Sequence, residues 1–249
     1  MELINIKPGK EPGYEMKESL RTLRTNITFC GSDVHVIMFT SCMPDEGKST
    51  VVFDLANALA DSNKKVLIVD SDMRKSVLIH RYHATRPNNQ EVLGLTHYLS
   101  GQCAATDILY QTNLNRIYMT FAGPSVPNPT EMLERNEFEN FITIAKKYFD
   151  YILIDCAPLG AAIDAAVVAR VCDGAIMVVE QGGVGARMIV EHKKQLEASG
   201  VRILGAILNK VKMNGTGYYG HYYKKYYGKY YGKYNSDNSR KRPKKNANK

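Results

Sequence analysis

The stretch Cys42-Met43-Pro44-Asp45-Glu46-Gly47-Lys48-Ser49-Thr50 lies between an apolar run, Val34 to Phe39, and an Ala/Leu-rich stretch, Val51 to Ala60. The first neighbour reads as a buried strand and the second as a helix, which puts the quoted residues at a strand-to-helix turn. Gly47-Lys48-Ser49 at such a turn has a chemical meaning. Backbone N–H groups of the loop, with the unpaired N–H groups and positive dipole end of the following helix, cradle an anion; Lys48 reaches outer phosphates and Ser49 offers its hydroxyl to Mg²⁺. The full pattern opens with Gly, and Cys42 stands there instead. By itself Gly-Lys-Ser also fits an ordinary polar turn, so the surrounding chain has to decide.

Two apolar runs downstream end in carboxylates. Lys65 to Val69 leads into Asp70-Ser71-Asp72-Met73-Arg74, and Tyr151 to Ile154 into Asp155-Cys156-Ala157-Pro158. Carboxylates at the C-terminal ends of strands fall on the side where open α/β sheets place their ligands. Alternation points Asp70 and Asp72 in a similar direction, towards the phosphate loop if the two strands are neighbours. Asp155 is placed to hold Mg²⁺ directly or through water. Two more strands, Ala175 to Val179 and Ile203 to Leu208, alternate with a helix from Arg187 to Ala198. The expected fold is therefore α/β, P-loop NTPase-like, with a mainly parallel sheet flanked by helices. Asn209, at the last strand's end, either meets a base edge or caps the turn.

The chain has 249 residues and 44% hydrophobic content, enough for one large α/β domain with a sizeable core. Its formal charge of +8 is unevenly placed: residues 213–249 carry ten Lys/Arg and one acid, leaving 23 basic and 24 acidic residues before them. Five scattered cysteines, Cys30, Cys42, Cys103, Cys156 and Cys172, have no metal-ligand spacing and suit a reducing compartment. No run reaches the ~18 apolar residues of a spanning helix, because Arg170 and Asp173 interrupt the best one. The expected location is cytoplasmic, with recruitment to the inner face of the membrane through a partner.

Three regions follow: an extended arm over 1–13, rich in Pro and Gly; an ATP-binding domain over 14–212; and a tail over 213–249. Glu15 to Phe29 reads as a helix with Leu20, Leu23 and Ile27 on one side and Glu18, Arg21 and Arg24 on the other, a pattern that spacing alone assigns to a solvated face. Residues 75–115 read as short helices and loops, and His80, His83 and His97 make no ligand pattern. A strand from Ile117 to Phe121 leads into Gly123 to Glu131, whose Thr130 is placed to cap a helix over 131–148. The tail holds nine of the sixteen tyrosines, Tyr218, Tyr219, Tyr222, Tyr223, Tyr226, Tyr227, Tyr230, Tyr231 and Tyr234, interleaved with Gly and Lys. Such a composition predicts disorder. Phosphorylation needs the phenolic hydroxyl, and roughly five or six phosphates would cancel the tail's positive charge.

Together these segments resemble the bacterial tyrosine kinases of capsule and exopolysaccharide systems. The resemblance rests on Pro44 to Thr50, Leu67 to Arg74, Ile152 to Asp155 and the tyrosine cluster. It implies a protein-tyrosine kinase using ATP and Mg²⁺, in which Asp45, Glu46, Gly47, Lys48, Ser49 and Thr50 bind the nucleotide, while Asn209 keeps its two readings, base contact or turn cap. Lys48, Asp70, Asp72 and Asp155 would be catalytic, with Ser49, Asp72 and Asp155 serving the metal. One of Asp70 and Asp72 would draw the proton from an incoming tyrosine. Glu18, Arg21 and Arg24 match a Glu-x-x-Arg-x-x-Arg motif that implies self-association into a ring, which replaces the solvated-face reading. The tail tyrosines become sites of autophosphorylation between subunits, since ~75 Å of extended chain from Lys212 to Tyr234 reaches a neighbour. The sequence departs from the family at Asp45, where Gly is commoner, and at Ala157, where a Pro usually stands.

Expected partners are a membrane activator of the polysaccharide co-polymerase type, protein tyrosine substrates and a cognate tyrosine phosphatase; nucleic acid is not expected. Two rivals have distinguishing marks. Septum-positioning and plasmid-partition ATPases carry an extra Lys where this chain has Met43. A P-loop ATPase switch with a nucleic-acid- or membrane-binding basic tail would show salt-dependent tail binding.

Overall fold

The computed structural model describes residues 1–161 and 163–211. The tail tyrosines from Tyr218 to Tyr234, and the disorder expected of that segment, lie outside the described residues. Among the described residues, eight strands, β1 (Glu2–Ile4), β2 (Val36–Ser41), β3 (Val66–Asp70), β4 (Tyr110–Thr112), β5 (Ile117–Thr120), β6 (Tyr151–Asp155), β7 (Gly174–Glu180) and β8 (Ile203–Asn209), form one sheet. Their order is β1-β4-β5-β3-β6-β2-β7-β8, and every neighbouring pair is parallel except β4 with β5.

Central strands are buried on both faces, as continuous apolar runs demand. One face, with Val36 and Met38, Leu67 and Val69, Ile152 and Ile154, packs on α5 (Pro129–Leu133), α6 (Asn136–Ala145), α7 (Asp164–Val168) and α8 (Ala186–Ala198). The other, with Ile37 and Phe39, Val66 and Ile68, and Leu153, packs on α1 (Tyr14–Phe29), α2 (Lys48–Ala60) and α3 (Leu78–Arg81). A fourth short helix, α4 (Leu95–Leu99), lies against the first core.

Several sequence expectations change in the fold. Strands β2 and β3 are not neighbours: β6 lies between them, with Asp155 paired in register to Phe39 on one side and to Asp70 on the other. The segment expected to be an extended arm is extended and also paired, because β1 adds to β4 and buries Ile4 and Ile6 in the core. Within 75–115, β4 replaces what the sequence assigns to loop; at three residues it is too short for a periodicity to register.

The single helix expected over 131–148 is two. Arg135 turns extended, φ −69° and ψ 148°, between α5 and α6, and its guanidinium donates to the Leu99 carbonyl at 2.8 Å. Thr130 caps nothing: Asn128 takes the N-cap position, and the Thr130 hydroxyl donates to Asp164 on α7. Among the described residues, no helix is long and apolar enough to cross a membrane.

Candidate nucleotide site

The loop between β2 and α2 takes its shape from glycine, from one strained aspartate and from a buried carboxylate. Gly47 has φ +88° and Asp45 has φ +64°, both left-handed. Glu46, 2% exposed, turns inward and accepts hydrogen bonds from the backbone N–H of Met43 at 2.9 Å and of Glu180, the last residue of β7, at 3.1 Å. The end of β8 closes the loop from outside: Asn209 Nδ2 donates to the Glu46 carbonyl at 2.9 Å. Lys210 Nζ donates to the Asp45 carbonyl at 2.6 Å and pairs with Glu180 at 2.9 Å. Asn209 thus holds the loop in place. Sequence reasoning misses Lys210 and Glu180, since neither carries a local signal.

At the first turn of α2, Lys48 is 7% exposed and ion-pairs with Asp155, itself 2% exposed. Burial opposes the ammonium charge, but the Asp155 carboxylate outweighs it and raises the Lys48 pKa above its ordinary value. Asp155 is held through its backbone, whose carbonyl accepts from the Ser71 N–H at 2.9 Å and hydroxyl at 3.0 Å. The acidic ends of β3 and β6 are therefore stitched together.

Asp70 and Asp72 occupy different environments. Asp70, 1% exposed, accepts from the Ser76 hydroxyl at 2.6 Å and from the Asp72 N–H at 3.1 Å. Burial, and then the neighbouring Asp155 carboxylate, pushes its carboxyl up to about 7. Asp72 is half-buried, accepts from the Lys75 N–H at 3.0 Å, and lines a cleft of about 130 Å³ with Lys48, Ser49, Arg74 and Arg81. Arg81 also donates to the Thr50 hydroxyl at 2.7 Å. Burial pushes the Cys156 thiol up to about 12 and Cys42 to about 11, so neither is a thiolate at neutral pH.

The donor set fits a metal shared with a nucleotide. Mg²⁺ is usually held by one or two carboxylates plus phosphate oxygens and water, and a P-loop hydroxyl commonly joins them. Ser49, Asp72 and Asp155 supply that kind of set at the loop. Among the described residues, no group of three or more His, Cys, Asp and Glu is arranged to hold a metal alone.

Away from the cleft, Glu18 pairs with Arg21 on α1. Arg24 reaches across to the Ala58 carbonyl at 3.0 Å, in the last turn of α2. The motif helix thus has an intramolecular task in addition to the self-association that the resemblance implies.

The AAA domain family profile covers residues 35–204. The chain is similar to the tyrosine-protein kinase CpsD of Streptococcus agalactiae serotype III (strain NEM316), 39% identical over 211 residues, covering 85% of this chain and 88% of that protein. It is 30% identical over 219 residues to the tyrosine-protein kinase YwqD of Bacillus subtilis (strain 168), covering 87% and 90%. Its fold is similar to the kinase domain of the Escherichia coli tyrosine kinase ETK, with TM-score 0.74 and 31% identity over 81% of this chain and 78% of that one.

Proposed function

Since the chain belongs to the bacterial tyrosine kinases within the AAA domain family, we propose that it transfers the γ-phosphoryl group of ATP to tyrosine hydroxyls, its own tail tyrosines Tyr218 to Tyr234 among them. The observation that carries the reading is the juxtaposition, at the C-terminal ends of the neighbouring strands β3 and β6, of the Lys48–Asp155 pair with Asp70 and Asp72. A phosphate loop alone serves many ATPases; a second pair of carboxylates beside it gives an acceptor hydroxyl somewhere to lose its proton.

In this reading the backbone of Asp45 to Thr50 cradles the phosphates, and Lys48 exchanges Asp155 for a phosphate oxygen. Ser49, Asp72 and Asp155 hold Mg²⁺, which when bound offsets charge on the transferring group. Asp70 takes the role of base. A tyrosine hydroxyl has a pKa near ~10 and is a weak nucleophile at neutral pH, whereas a carboxyl poised near the working pH is an efficient proton acceptor. The tyrosine oxygen forms a bond to the γ-phosphorus, the bond from that phosphorus to the β–γ bridging oxygen breaks, the hydroxyl proton passes to Asp70, and ADP leaves.

The same reading extends to regulation. The chain assembles through Glu18, Arg21 and Arg24, the tail of one subunit enters a neighbour's site, and a membrane activator of the polysaccharide co-polymerase type recruits and stimulates it. A tyrosine phosphatase resets the tail, and the output is control of capsular or extracellular polysaccharide synthesis.

The test is intact-mass analysis after incubation with Mg²⁺·ATP, with wild type beside Lys48→Met, in the presence and absence of an activator's cytoplasmic segment. Stepwise additions of phosphate mapping to the tail in wild type only are the expected result. ATP loss with no mass gain, even with the activator, sinks the kinase reading in favour of an ATPase switch.

A further inference from the structure

Asp164 is a buried carboxylate that the transfer described above does not use. It is 1% exposed, at the first turn of α7, ninety residues along the chain from the arginine it meets. Arg74 Nε donates to one of its oxygens at 2.6 Å and Arg74 Nη2 to the other at 3.0 Å, a two-point fork. Thr130 completes the cluster: its hydroxyl donates to Asp164 and accepts from Arg74 Nη2 at 3.3 Å. Bidentate pairing fixes the plane of a guanidinium as well as its position.

That plane borders the cleft. Arg74 lies two residues beyond Asp72, lines the same cavity as Lys48 and Ser49, and is half-exposed there. Its Nη1 donates to no group among the described residues. A cation held rigidly from behind, with one N–H face left over, is the arrangement that stabilises charge developing on a transferring phosphoryl group without reorganising as it does so.

We propose that Asp164 and Thr130 are positioning residues that aim Arg74 into the cleft, where its free guanidinium edge stabilises the phosphoryl group in flight. The proposal rests on the phosphoryl-transfer reading above. It also makes the Gly123-to-Thr130 loop part of the transfer machinery, because that loop delivers Thr130.

The full chain with Mg²⁺·ATP tests this, by kcat and KM for ATP from ADP release, with phosphotyrosine followed by mass in the same samples. Arg74→Met should lower kcat by ~100-fold, as loss of one preorganised donor does. Asp164→Asn, which keeps the shape but weakens the fork, should lower kcat by ~10- to 100-fold with KM changed by less than roughly twofold. Added to Arg74→Met, the Asp164→Asn change should then have no further effect on kcat, because a residue acting through Arg74 has nothing left to aim. A merely structural carboxylate would lower the melting temperature and leave its kcat effect intact in the Arg74→Met background; that outcome overturns the proposal, as does an unchanged kcat in Asp164→Asn. Should Asp164→Asn fail to fold, Thr130→Val, at a half-buried position, takes its place in the same cycle: loss of its kcat effect in the Arg74→Met background supports the proposal, and persistence of that effect overturns it. If wild type releases ADP without phosphotyrosine, the tyrosine acceptor is wrong and the positioning role is judged on ADP release alone.

Discussion

The side-chain amide of Asn209 lies where a Cβ on Gly47 would have to go: an added methyl would sit 2.2 Å from Asn209 Nδ2. Two constraints meet at Gly47, since its φ of +88° already disfavours any other residue. The loop is therefore closed by a strand end 163 residues from the carbonyl it binds.

Gly47→Ala is expected to cost about 1–3 kcal/mol from backbone strain alone, and to push Asn209 off the Glu46 carbonyl as well. Asn209→Ala should relieve the clash but not the strain. Thermal melts of the two single variants and the double variant check this: the double should recover part of the Gly47→Ala loss. Full additivity would mean that the two residues do not compete for the space.

Lys48 and Asp155 form a buried pair, so removing one partner leaves an uncompensated charge. Lys48→Met should lose about 3–5 kcal/mol of stability as well as ATP binding. Lys48→Met with Asp155→Asn should regain most of the stability and none of the binding. Chemical denaturation set beside nucleotide titration separates the two effects.

Asp70 is expected to make stability and activity run in opposite directions with pH. Its folded pKa, about 7, stands above the unfolded carboxylate value, so the folded state holds the proton more tightly, and stability falls as pH rises from ~4 towards 7. Asp70→Asn removes that dependence and should be the more stable protein at pH 8, by a few kcal/mol on the order-of-magnitude conversion of such a shift. Phosphoryl transfer needs the carboxylate, so wild-type kcat/KM should rise through pH 7 and the variant should stay low throughout. Melting curves and initial rates at pH 5, 6, 7 and 8 decide it; parallel pH profiles for stability and activity would contradict the assignment.

Arg21 and Arg24 should separate folding from assembly. Arg21 makes an exposed pair with Glu18, worth less than about 0.5 kcal/mol. Arg24 holds a carbonyl of α2, and Arg24→Ala should lose about 1 kcal/mol. If both serve a ring, each alanine variant lowers the oligomer mass by light scattering, while only Arg24→Ala lowers the melting temperature. An unchanged mass in both would remove the ring from the proposed function.

Much of the site is legible in the sequence because its chemistry is local. Gly47-Lys48-Ser49 between a strand and a helix, and Asp70, Asp72 and Asp155 at strand ends, are patterns of adjacent residues. Glu46 is legible only in part, because nothing in Asp45-Glu46-Gly47 says that this carboxylate turns inward to two backbone N–H groups. Thr130 reads as a cap from its place before an apolar helical stretch, yet a buried carboxylate from α7 competes for the same hydroxyl. Arg74 is visible as a motif residue while its partner is not, for the carboxylate that fixes it stands ninety residues away.

The sequence by itself determined the strand, loop and helix around Lys48, the acidic strand ends, the alternation that makes the sheet mainly parallel, and the kinship with tyrosine kinases. Each of these follows from apolar period, turn chemistry or adjacent residue types, which act over a few residues. Tertiary structure alone decided that β6 lies between β2 and β3, that Asn209 and Lys210 close the phosphate loop, and that Asp164 and Thr130 hold Arg74. Those pairings depend on which strand neighbours which and on which buried donor finds which acceptor, and chain folding settles both over distances that no local pattern records.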